Sequence, residues 1–204
     1  PLLISRDVIH GFKTMFPIPL GLASTFDPEI VEQGARVAAI EATASGVRWT
    51  FSPMLDVARD PRWGRCVEGA GEDPFLSSLY AKAVVEGFQG DLSDSTEILA
   101  CVKHFACNNE ERHRHKTDVE VSERALREIY LPAFKAAVDA GAWSSMGSYN
   151  RYLGQHGCHN EVLVNQILKG EWGFDGAFIS DWGGAHDTYE AAEYGLDIEM
   201  GTGS

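Results

Sequence analysis

A chain of 204 residues, 44% hydrophobic and 23% charged, is long enough to bury a core and has the composition of one globular domain or a piece of a larger one. Its formal net charge of −13 repels phosphates, which excludes a basic nucleic-acid-binding surface and suits an enzyme acting on neutral substrates. No run approaches the roughly 18 apolar residues of a membrane span and no signal-peptide pattern opens the chain, so the cellular compartment stays open.

In chain order, the first predicted strand is Leu2–Arg6, which closes on Asp7. Asp27-Pro28 combines an N-cap with a proline at the first helical position and predicts a helix that stops at Gly46. Val47–Pro53 is the second strand, followed by Asp56 and the segment Asp60-Pro61-Arg62-Trp63-Gly64-Arg65-Cys66-Val67-Glu68. Asp73-Pro74 repeats the capping device and starts a helix running to about Gly87. Ile98–Phe105 is a third strand. The segment from Ser122 to Gly141 is the clearest helix: Leu126, Ile129, Tyr130, Ala133, Phe134, Ala137 and Val138 follow helical spacing, and Pro132 predicts a kink or a break. Strand Trp143–Tyr149, a helix capped by Asn160 and ending near Gly170, strand Gly176–Asp181 and a weaker strand Leu196–Met200 complete the pattern.

Most of these strands are continuous apolar runs, as in parallel sheets buried on both faces, and their alternation with helices predicts an α/β fold. An open doubly wound sheet and a (β/α)8 TIM-type barrel both fit that alternation. Asp7, Asp56, Lys103-His104, Tyr149-Asn150 and Asp181-Trp182 all fall at C-terminal strand ends, which converge on one face only in a barrel. No G-x-G-x-x-G follows a strand, so the dinucleotide-binding version lacks its fingerprint. The expectation is therefore a barrel with about six βα units present, incomplete, on a chain that reads as cut from something longer.

The four cysteines, Cys66, Cys101, Cys107 and Cys158, form no C-x-x-C pair and read as free thiols. His113 and His115 lack further ligands at a familiar spacing, so no metal is expected, and no cofactor. Asp181 closes an apolar strand and stands in the company of Lys103, His104 and Arg65. Neighbouring cations favour the charged form of a carboxylate, which a nucleophile or an oxocarbenium stabiliser must be. Trp182 beside it offers a ring on which a sugar would stack. Lys103 reads as a donor to hydroxyls; a Schiff-base lysine would need a poorly solvated pocket without carboxylates. In the arginine-rich segment, Arg–carboxylate pairs among Arg62, Glu68, Glu72 and Asp73 would staple the loop and leave one of the two arginines, Arg62 or Arg65, to face the pocket.

The runs Asp7-Val-Ile-His10-Gly11, Asp60-Pro-Arg-Trp-Gly-Arg65, Lys103-His104-Phe105 and Ser180-Asp181-Trp182 resemble, in order and rough spacing, the N-terminal domain of family-3 glycoside hydrolases, the β-glucosidase family. The resemblance covers residues 1–204. It implies a partial N-terminal (β/α)8 barrel domain, with a C-terminal α/β sandwich domain outside the chain, and an exo-acting, retaining β-glucosidase with Asp181 as nucleophile. It also implies that Asp7, Arg65, Lys103, His104 and Tyr149 hold sugar hydroxyls, that Met146 and Trp182 line the pocket, and that the substrate is a small oligosaccharide or an aryl or alkyl β-glucoside. A xylosidase or arabinosidase is the neighbouring reading, and a sugar-binding fragment that lacks its acid/base is the rival of a different class. The branch that uses a His–Asp pair in a Gly-rich loop is disfavoured, because the stretch Phe105–Asp118 has no glycine.

Overall fold

The structure, a computed structural model, describes residues 2–201. Its elements are, in order, β1 (Ser5–Arg6), α1 (Pro19–Ala23), α2 (Pro28–Ala44), β2 (Trp49–Thr50), α3 (Pro74–Gln89), β3 (Leu99–Phe105), β4 (Asp118–Val119), α4 (Glu123–Ala125) and α5 (Pro132–Asp139). They continue with β5 (Ser144–Gly147), β6 (Arg151–Tyr152), β7 (Gln155–His156), β8 (Ala177–Ile179) and α6 (Thr188–Glu193). A wide-turned π-helical segment, Glu161–Glu171, packs between β7 and β8 in the chain. No helix among the described residues is long and apolar enough to cross a membrane.

Strands β1, β2, β3, β5 and β8 form one parallel sheet in the order of the sequence. A doubly wound sheet reverses its order at a switch point; this one never does, so it is an arc of a barrel. Ile198 bridges Ile179 in parallel at the far edge, where the predicted strand Leu196–Met200 pairs with β8 through Ile198 N–H to Phe178 O (3.1 Å) and Ser180 N–H to Ile198 O (3.0 Å), and the arc does not close among the described residues. The regular ladders are shorter than the apolar runs. After Thr50 the chain stays extended, and Ser52 and Pro53 carbonyls still accept from Cys101 N–H (3.1 Å) and Lys103 N–H (3.0 Å). Pro53 has no N–H to return, so the ladder lapses there.

Alternation along the strands sorts side chains to two faces. Ala100, Val102, Phe105 and Phe178 point to the helices, where Phe105 meets Phe134, Trp172 and Phe178 edge-on at 5.2, 5.8 and 6.5 Å. Trp49, Phe51, Cys101, Met146, Ile179 and Met200 form a second cluster inside the arc. There Trp49 Nε1–H donates to Ser144 Oγ at 2.7 Å, and Ser144 Oγ–H donates to Ala100 O at 2.8 Å.

The caps behave as expected. Asp27 accepts from Glu29 N–H (3.0 Å) and Ile30 N–H (3.4 Å), Asp73 from Leu76 N–H (2.7 Å), and Asn160 from Leu163 N–H (2.9 Å). Gly87 does not end α3, which runs on to Gln89. It is instead the contact point with α2, where an added Cβ would sit 2.4 Å from Glu32 O. The Ser122–Gly141 stretch does break at Pro132: α4 passes into a π-helical turn, Leu126–Tyr130, before α5 begins on the proline. The small sheet β4–β6–β7 has no counterpart among the predicted elements, because two-residue strands carry no periodicity to read.

Candidate active site

The C-terminal ends of the arc's strands enclose one open cleft with a volume of about 190 Å³. Its lining includes Asp7, Arg65, Lys103, His104, Met146, Tyr149, Asp181 and Trp182. Every site residue expected from the sequence thus reaches a common space, although they are drawn from positions up to 175 residues apart (182 − 7). Phe51, Arg114 and Met200 also face it.

Lys103 and His104 both reach the cleft even though successive strand residues normally point to opposite faces. The β3–β5 register shifts between Val102 and Phe105, so the alternation is interrupted where it would have separated them. Lys103, almost wholly buried, donates from Nζ to Asp7 Oδ1 at 2.6 Å. His104 is anchored from behind by Asp56: Oδ2 accepts His104 N–H at 3.0 Å and lies 2.7 Å from Nδ1.

Burial pushes the Asp56 carboxyl well above the usual carboxylate range, and burial, aided by the charges of Lys103, Arg65 and Arg114, holds His104 well below the usual histidine range. Asp56 Oδ1 has no hydrogen-bond partner among the described residues, which a neutral acid tolerates far better than a carboxylate. The pair is therefore neutral overall. With the proton on Asp56, Oδ2–H donates to Nδ1, and His104 presents Nε2–H to the cleft; were that proton passed to the ring, Nε2 would still carry its hydrogen. Either way His104 is a donor, aimed at Asp181 Oδ2 across 3.6 Å, too long for a hydrogen bond.

Asp181 follows β8, is largely buried, and accepts Trp182 N–H on Oδ1 at 2.7 Å. Tyr149, which follows β5, donates its hydroxyl to Trp182 O at 2.9 Å; burial first, and then the nearby Asp181, pushes the phenol up. The guanidinium of Arg114 lies over the Tyr149 ring, 4.5 Å from its centroid, and the His115 ring packs against it with centroids 4.2 Å apart. Met146, Phe51 and Met200 give the cleft an apolar floor, while Trp182 stands half exposed at its rim.

Two readings of the loops change. Neither arginine is free: Arg65 faces the cleft while forking onto Glu68 at 2.6 and 3.0 Å, and Arg62 turns to solvent on Asp60 at 2.6 Å. Asp73 caps α3 rather than pairing with an arginine. Arg114 is not among the residues expected from the sequence, because its loop has no periodicity; the alternation Arg112-His113-Arg114-His115 in so acidic a chain is the available signal.

Behind Tyr149 lies a histidine cluster. His156 donates from Nδ1 to Tyr149 O at 3.1 Å and accepts Arg151 Nε–H on Nε2 at 3.1 Å, while its ring stacks on His186 at 4.0 Å. Burial draws His156 down to about 4 and lowers His186 as well. An unfolded histidine titrates near 6.5, so between about pH 6.5 and 4 the unfolded chain binds the additional proton and stability falls as pH drops. Thermal unfolding across this window is expected to show a smaller loss for His156→Gln than for the wild type; equal slopes would assign the loss to other groups.

The comparisons with known proteins bear on this cleft. The sequence profile of the glycosyl hydrolase family 3 N-terminal domain matches residues 1–199. The chain belongs to glycosyl hydrolase family 3. Its family-3 relatives include β-glucosidase BoGH3A of Bacteroides ovatus, 48% identical over 190 residues, which are 93% of this chain and 25% of that protein. An exo-α-(1→6)-L-arabinopyranosidase of Bifidobacterium longum is 41% identical over 188 residues, 92% of this chain and 24% of its own length. Among solved structures, a β-glucosidase from Listeria innocua in complex with isofagomine superimposes with a TM-score of 0.92 at 46% identity, covering 99% of this chain and 31% of that one. The family-3 chain spans about a quarter of the length of the curated relatives it matches.

Proposed function

We propose that the protein carrying this family-3 domain is an exo-acting, retaining β-glucosidase that removes terminal non-reducing β-D-glucosyl residues through a covalent intermediate on Asp181. The observation that carries the reading is the setting of Asp181: one carboxylate oxygen is held by the Trp182 N–H, and the other faces the cleft 3.6 Å from the His104 donor. Attack by a carboxylate on the anomeric carbon needs such a fixed, directed oxygen, with donors nearby to hold the sugar ring. Asp7, Arg65, Lys103, His104 and Tyr149 are assigned to the hydroxyls. The Asp7–Lys103 pair supplies an acceptor and a donor side by side, suited to two adjacent hydroxyls. Met146 and Trp182 are assigned to the apolar face of the sugar.

Retaining hydrolysis also requires a second carboxyl as acid and base, about 5 Å from the nucleophile. Among the described residues the only other carboxylate lining the cleft is Asp7, and it is engaged by Lys103. As the family-3 resemblance implies, we assign the acid/base to the C-terminal domain of the full-length protein. The test is proton NMR of aryl β-glucoside hydrolysis by that protein. β-Glucose is expected as the first product, with α-glucose growing only by mutarotation; α-glucose appearing first would exclude a covalent intermediate. Aryl α-L-arabinopyranoside, run in parallel, tests the neighbouring substrate class, and faster turnover of it would move the specificity assignment.

A further inference from the structure

Beneath Asp181 the chain makes a tight turn, Gly157–His159, pressed against the ends of β5 and β8. Two glycines outside the turn and one within it make this contact possible. An added Cβ would lie 2.6 Å from Cys158 Cα at Gly147, 2.6 Å from Cys158 Sγ at Gly184 and 2.1 Å from Ser148 Oγ at Gly157. Cys158, fully buried, donates its thiol to Ser148 O at 3.4 Å, and Gly157 N–H donates to Asn150 O at 2.8 Å, so the turn is tied to both sides of Tyr149.

His159 extends this contact to the other wall of the cleft. Its ring is 1% exposed, and Nε2 accepts the His186 backbone N–H at 3.1 Å. An amide N–H only donates, so Nε2 must carry the lone pair and Nδ1 the hydrogen. Glu190 Oε2 lies 2.9 Å from Nδ1, close enough for strong attraction but off the line of a good hydrogen bond. Glu190 is also the residue whose backbone N–H the cap Asp187 receives, at 2.9 Å. In a reciprocal capping box its side chain would turn back to the cap; here it is directed at His159 instead. The segment Trp182–His186 is therefore held at four points: Trp182 O by Tyr149, Gly183 N by Met200 O at 3.1 Å, Gly184 N by Asp181 O at 2.9 Å, and His186 N, at its far end, by His159.

We infer that His159, supported by Glu190, is a positioning residue for the proposed reaction: it fixes the far end of the segment on which Asp181 and Trp182 stand. The inference rests on the role proposed above for Asp181. Misplacement of a reacting group by about 1 Å costs on the order of 10²-fold in rate, whereas a loosened core elsewhere costs stability alone.

The experiment measures kcat, KM and melting temperature of the full-length protein on an aryl β-glucoside. His159→Ala is expected to lose roughly 10²-fold in kcat with little change in KM. His159→Gln, whose side-chain oxygen can accept the His186 N–H, should recover at least about tenfold of that loss. Leu163→Ala, a truncation of a fully buried residue in the next helical segment, should lower the melting temperature and leave kcat unchanged below it. Wild-type kcat in His159→Ala, or a kcat loss in Leu163→Ala that matches it, would overturn the inference. Should the alanine variant not fold, Glu190→Gln carries the test, with a fall of several-fold in kcat expected and an unchanged kcat overturning. A wild-type protein without β-glucosidase activity would instead remove the reading beneath it.

Discussion

Replacement of Asp181 by asparagine is expected to reduce kcat on an aryl β-glucoside by at least about 10⁴-fold, with the melting temperature nearly unchanged. The two halves of this expectation have separate causes. The amide oxygen of asparagine still accepts the Trp182 N–H that Asp181 Oδ1 accepts at 2.7 Å, so the strand end keeps its local hydrogen bond. Among the described residues Asp181 caps no helix and pairs with no lysine or arginine, so little folding energy depends on its charge. What is lost is the nucleophile, since a neutral amide does not form the glycosyl ester through which a retaining enzyme passes. Steady-state rates beside a melting curve measure both halves. A variant within tenfold of wild type would take the nucleophile away from Asp181, and an unfolded variant would show that its carboxylate is needed for the fold.

The second large effect concerns Asp56, which never meets the cleft. In Asp56→Asn the oxygen that takes the place of Oδ2 accepts His104 N–H, as now, but has no proton to give. It can satisfy Nδ1 only if Nδ1 carries the hydrogen. His104 Nε2 then becomes an acceptor facing Asp181 Oδ2, 3.6 Å away, and the cleft loses a donor without any change in packing. A fall of roughly 10²-fold in kcat/KM is expected, in line with loss of a hydrogen bond between charged or strongly polar groups, with the fold retained. Asp56→Ala differs in kind: it leaves the buried His104 N–H and ring nitrogen without a partner, at a cost of roughly 2–5 kcal/mol in stability. Denaturant unfolding and kinetics on the two variants separate the effects. Full activity in Asp56→Asn would show that the tautomer of His104 does not matter.

The sequence made these residues findable for a physical reason. Chemistry in a barrel sits where strands end, so a polar residue terminating an apolar run is a readable signal, and Asp7, Lys103, Tyr149 and Asp181 each gave it. Helix caps were equally readable, because Asp27-Pro28 and Asp73-Pro74 are local devices acting within four residues. Contacts between distant segments were not readable in the same way. Gly87 looked like a stop in the sequence and is a packing contact with α2, whose partner Glu32 is 55 residues away (87 − 32). Asp56 was visible as a strand-end carboxylate, but its place behind His104 depends on β3 and the chain after β2 running side by side. Arg114 lies in an irregular loop and gains its meaning only from the Tyr149 ring beneath it. The turn Gly157–His159 left no trace in hydropathy at all, since its work is done by the absence of three side chains and by one buried ring.

The assignment of Asp181 is the claim on which the rest depends, and mass spectrometry tests it most directly. The full-length protein is incubated with a 2-fluoro-β-glucoside bearing a good leaving group, which forms the glycosyl-enzyme faster than water removes it, and is then digested and mapped. One fluoroglucosyl adduct on the peptide containing Asp181, absent from Asp181→Asn, is the expected result. An adduct on another carboxylate, or turnover of the parent glucoside with no covalent adduct formed, would contradict it.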